Sequence, residues 1–195
     1  MGGPAASVLL KNVLEPNQID ELRAWVGEVA EFYAESKNGD IREGWEVFVR
    51  WPTELGEEPE LRGPCLGAIQ LFTVDPGAES SGAAYMSPGD WEQCRDAIGW
   101  MPASDLSVSI FCNDKRDHKT LAWLCSELAD RFDGLVDLGG TLPIPDRKDW
   151  DSLGLSGSVV SMRYEIDNDR WGHSQVVDSE FLRGWIRQPG FHMIK

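Results

Sequence analysis

Basic charge is what this sequence has least of. Lysine and arginine number 18 against 33 acids, a formal net charge of -15. Nucleic-acid binding needs cations that replace counterions along phosphates. No basic run here exceeds the pairs Lys115-Arg116 and Arg147-Lys148. No nucleic-acid partner is therefore expected, and attraction to an anionic membrane surface is not expected for the same reason. Long apolar runs are also missing. Nothing approaches the roughly 18 residues of a membrane helix, and the apolar stretch of Met1–Leu14 is broken by Lys11 and Asn12 with no basic segment before it. The expected location is the cytoplasm. Cys65, Cys94, Cys112 and Cys125 have no C-x-x-C spacing, so they read as small buried thiols in a reducing compartment. Three isolated histidines give no metal-ligand pattern. Gly139-Gly140 lacks the rest of a dinucleotide or phosphate-loop fingerprint, so no cofactor is expected.

What is present suits a folded domain. A chain of 195 residues with 42% hydrophobic content can bury one sizeable core, which makes 1–195 a single domain. The acid is uneven. Residues 1–60 hold 13 acids and 5 bases, and the remainder 20 and 13, so under a third of the chain carries about half of the excess. Its densest piece, Glu54, Glu57, Glu58 and Glu60, lies between Pro52 and Pro64 and reads as an exposed acidic loop. Nine tryptophans stand against three tyrosines. Most fall on expected core faces, whereas Trp171 lies in a polar stretch and is a candidate interface anchor.

Periodicity predicts elements of both kinds. Ser7–Val13 reads as a first strand. Asn17 is placed to cap a helix carrying Ile19, Leu22, Val26, Val29 and Tyr33 at three- and four-residue spacing, ending near Asn38-Gly39. Trp45, Val47, Val49 and Trp51 alternate along a strand, and Leu66–Val74 is another. Ser87-Pro88 starts a short helix. Leu106, Val108, Ile110 and Cys112 alternate again, followed by a helix capped by Asp114 or Asp117 and then by a short strand, Leu135–Leu138. That succession resembles a crossover unit with parallel strands, with Gly134 as helix C-cap. Gly157–Ile166 is a strand, Asp167–Ser174 a polar turn, and Asp178 caps a last helix buried through Phe181, Leu182, Trp185 and Ile186. Phe191–Ile194 reads as an edge strand. The sum is an α+β, two-layer sandwich with a mixed β-sheet and about four helices.

The segment Phe111–His118 is where chemistry would sit. It places Cys112, Asp117 and His118 within seven residues, at a strand-to-helix junction that favours anions and depresses a thiol pKa. Against this, Cys112 has inward phase, and Asp114 and Asp117 are ordinary cap residues.

FCNDKRDHKTLAWLCSELADRFDGLVDLGGTL (Phe111–Leu142), SGSVVSMRYE (Ser156–Glu165) and FLRGWIRQPGFHMIK (Phe181–Lys195) together resemble an actinobacterial family of small uncharacterised proteins, a domain of unknown function. That resemblance covers about half of the chain and implies no activity. In format alone (small, acidic, single-domain, without cofactor motifs) the chain is similar to intracellular immunity proteins of bacteria. The leading expectation is a non-enzymatic domain binding a basic protein through Glu54, Glu57, Glu58, Glu60 and Trp171. The alternatives are an enzyme using Cys112, Asp117 and His118, and a structural or regulatory subunit of a complex.

Overall fold

The computed structural model describes residues 4–56, 65, 67–74, 88–111, 114–142, 154–167 and 170–193. Eight strands form one sheet: β1 (Ala5–Leu10), β2 (Ala30–Ala34), β3 (Trp45–Val49), β4 (Ile69–Val74), β5 (Ser104–Ile110), β6 (Leu135–Asp137), β7 (Val159–Asp167) and β8 (Arg170–Val177). Their order is β2-β3-β4-β5-β1-β6-β8-β7. The four helices are α1 (Pro16–Val29), α2 (Pro88–Ile98), α3 (Lys115–Arg131) and α4 (Ser179–Ile186). The protein is thus α+β, with helices packed on a sheet.

Each pairing in the sheet is antiparallel. The crossover reading of β5, α3 and β6 holds in direction and not in contact. Both strands run opposite to β1, which lies between them, so they point the same way without sharing a hydrogen bond. The sheet expected to be mixed therefore contains no parallel pair among the described strands. An antiparallel neighbour supplies perpendicular hydrogen bonds, and β1 was free to fill the gap.

Three further expectations are corrected. The first helix begins at Pro16, with Glu15 and Gln18 forming a capping box, rather than after Asn17. It stops at Val29, because Ala30 turns extended and Ala30–Ala34 pairs with β3. Residues 30–34 thus continue an apolar helical period into a strand, and cross-strand pairing overrides that period. The segment expected as a polar turn at 167–174 is mostly strand, Arg170–Val177, paired residue by residue with β7. The tail at Phe191–Met193 is irregular, yet Phe191 and Met193 are buried.

Alternation divides the sheet's two faces. Val8, Trp45, Val47, Leu71, Val108 and Val136 point to the main core beneath α1, α3 and α4. On the other face, α2 packs on β7 and closes a smaller core of Leu9, Cys94, Met162 and Val176. Helix α3 is buried on nearly every side from Asp117 to Ala129. It sits so close to β1 that a Cβ on Gly134, just past its end, would lie 2.6 Å from the Leu9 carbonyl oxygen. Gly134 serves that close approach. The residue capping the helix is Phe132, with Asp133 at φ 49°.

Candidate functional site at one end of the sheet

One end of the sheet gathers the residues of interest. There β1 begins, β3 and β5 end, β8 begins and α3 starts.

Two carboxylates organise the α3 N-terminus. Asp114 accepts from the Arg116 backbone N–H at 2.9 Å, and Asp117 reciprocates by accepting from the Asp114 N–H at 3.4 Å. This capping box satisfies two donors that the helix itself leaves without partners. Asp117 is fully buried and His118 is 5% exposed. The Nδ1 of His118 accepts the Met193 backbone N–H at 2.9 Å. An amide can only donate, so this nitrogen carries no proton while the bond exists, and the neutral ring holds its proton on Nε2. The His192 ring stands edge-on to it, 6.5 Å between centroids, and its Nδ1 donates to the Gly190 carbonyl at 3.2 Å. Phe191 packs edge-on against Trp185 at 4.8 Å. His118 is therefore a clamp for the C-terminal tail.

Asp117 and His118 are adjacent on one helix, and neighbours at i and i+1 project in different directions. Cys112 lies outside the described residues. Burial pushes the Cys94 and Cys125 thiols up to about 12, with the Asp137 charge adding to the effect at Cys94, which disfavours the reactive thiolate. Asp137 itself is raised above the ordinary carboxylate value by burial, although the Ser174 hydroxyl and the Gly139 N–H both donate to it. Among the described residues, no group of three or more histidine, cysteine or acidic side chains could hold a metal ion. At the opposite end of the sheet, Leu14, Ile19, Ile41 and Thr73 line a cleft of about 160 Å³ beside the Asp40–Arg42 ion pair. Ligand pockets run to about 300–1,000 Å³.

Of the residues expected to meet a partner, Glu54 is exposed in a short 3-10 turn just beyond β3, while Glu57, Glu58 and Glu60 lie outside the described residues. Trp171 is 41% exposed on β8, with the Arg163 guanidinium of β7 lying 4.8 Å from its ring centroid. A strand pair and a cation–π contact thus hold the indole in place. Two aromatic side chains outside the sequence reading are more exposed, Phe111 at 75% and Phe32 at 59%, as are the aliphatic Val13 and Met101. Phe111 was legible: it follows Leu106, Val108 and Ile110 in the outward phase. Phe32 was not, since it was assigned to a helix.

The whole chain also has relatives. A model of a family of unknown function (DUF6368) matches residues 2–195. The chain belongs to this family. No curated protein and no solved structure matches it. Among the described residues, no helix is long and apolar enough to cross a membrane.

Proposed function

We propose that this chain is a non-enzymatic protein-binding domain that engages a basic partner, in the manner of an intracellular immunity-type antagonist. The observation that carries this reading is the set of large aromatic side chains left exposed at one end of a well-packed sheet, Phe111, Phe32 and Trp171, on a molecule of net charge -15. Aromatic anchors supply contact area at low entropic cost, and the surrounding acid speeds encounter with a cationic surface. Glu54 stands at the same end. The reading of Cys112, Asp117 and His118 as a catalytic cluster has less support, because Asp117 serves the helix cap and His118 serves the tail.

An affinity pull-down from the native host, washed at low and at high salt, tests the proposal. One stoichiometric basic protein, retained at low salt and released at high salt, is the expected result. If nothing is retained at low salt, the binding reading fails. Thiol reactivity at Cys112 across pH would then probe the enzymatic alternative, since an activated thiol alkylates at neutral pH.

A further inference from the structure

On its outer side, among the described residues, the sheet carries no helix over β2, β3 and β4 or over the ends of β5 and β1 that meet at Ser109 and Ala5, whereas the row of Val74, Asp105 and Leu9 is buried. The helix on this side among the described residues, α2, packs on β7 and reaches Leu9 of β1. Over β2, β3, β4, β5 and β1, the positions alternate between the main core and the outside. At one rim Phe32 pairs with Phe48, ring centroids 6.1 Å apart, and Phe72 stands further along on β4. At the centre the outward positions are small: Ser107 lies beside both Phe72 and Ser7, and Ser109 beside Gln70 and Ala5. Five strands at about 4.8 Å spacing make a face about 19 Å wide, wide enough to seat a helix about 10–12 Å across with its side chains.

The charge on this face has one sign. The outward positions of the five strands contain no lysine and no arginine. They do contain Glu46, exposed, which accepts from Gln70 Nε2 at 3.1 Å and has no cation paired to it among the described residues. Asp105 lies on the same side, buried between Val74 and Leu9. Exposed Glu31 marks the bulge of β2 at the rim. An acidic face with aromatic rims and a small-residue floor complements a helix that is both basic and apolar.

We infer that the outer face of β2-β3-β4-β5-β1 is a docking platform for a basic amphipathic helix of a protein partner, aliphatic side chains resting against Phe32, Phe48 and Phe72 and lysine or arginine reaching Glu46 and Glu31. This rests on the protein-binding reading and extends that contact from the sheet end across the face.

The test is an NMR titration with a synthetic amphipathic Leu/Lys helix, with a Leu/Glu helix of the same length as control. The Leu/Lys peptide should shift the amides of Phe32, Phe48, Phe72 and Ser107 saturably, and the control should not. Ser107→Arg, which puts bulk and positive charge at the centre, should raise Kd at least tenfold. Phe32→Ala, at an exposed position, should weaken binding several-fold and serves if Ser107→Arg misfolds. Shifts confined to α1 or α4, or equal affinity in both variants, overturn the platform. So does a wild-type dimer in sedimentation that Ser107→Arg makes monomeric, because the occupant is then a second copy. If the pull-down retains one basic protein on wild type and on Ser107→Arg alike, the face is wrong and the binding function stands. If wild type retains none, the function itself fails.

Discussion

His118, in the first turn of α3, holds the tail through the Met193 N–H. Replacing it by alanine leaves the buried Met193 N–H without its acceptor. An orphaned buried donor costs about 1–3 kcal/mol, so His118→Ala should lower stability by that amount in denaturant unfolding and speed amide exchange at Phe191 and Met193. Unchanged stability and exchange would mean the clamp is not structural. Asp137 makes a second residue-scale prediction. Burial raises its carboxyl above the ordinary carboxylate value of 3.8, so the fold favours the protonated form. Its stabilising contribution is present below that value and is lost as pH rises through the folded value. Asp137→Asn keeps an acceptor for Ser174 and Gly139, and should be more stable than wild type at pH 7. The difference should close as pH falls below 3.8. A gap that widens in acid would reverse the assignment. Third, Cys94 and Cys125, pushed up to about 12, should resist iodoacetamide at pH 8 until the protein is unfolded. Fast labelling of either in the native state would contradict the burial argument.

Among elements, α3 organises the rest. It lies between the sheet, α4 and the tail, and its contact with β1 depends on Gly134 lacking a Cβ. Gly134→Ala drives a methyl into the Leu9 backbone carbonyl, which cannot swing aside as a side chain could. Overpacking of this kind costs about 1–3 kcal/mol, and thermal or denaturant unfolding should show it. A neutral substitution would place α3 further from β1. The tie between α3 and α4 is more forgiving. Arg183 reaches Glu127 at 2.9 Å and Asp130 at 3.0 Å, and its hydrogen bond holds Asp130 below the usual carboxylate range. These side chains are partly exposed, so solvent screens the pair and its worth is under about 1 kcal/mol. The apolar stripe of Phe181, Leu182, Trp185 and Ile186 carries the docking of α4.

At the scale of the molecule, charge sets the association behaviour. Glu54→Gln should slow capture of a basic partner and flatten its salt dependence without altering stability, because that side chain is exposed. Trp171→Ala should leave unfolding within about 0.5 kcal/mol of wild type while weakening the complex. If both variants bind as wild type does, neither residue belongs to the contact. The alternation of Leu106, Val108 and Ile110, the cap at Asp114 and the stripe of α4 were determined locally, by side-chain period and helix-end chemistry. So were the acidic balance and the α+β class. Partner choice between strands was not. β1 entered between β5 and β6, residues 30–34 left the helix for β3, and 170–177 became a strand, because hydrogen-bond pairing across the sheet outweighs local propensity. His118 met Met193, 75 residues away, and Phe32 met Phe48, only once the sheet had assembled. Those encounters depend on which surfaces the whole core brings together, and no local pattern encodes them.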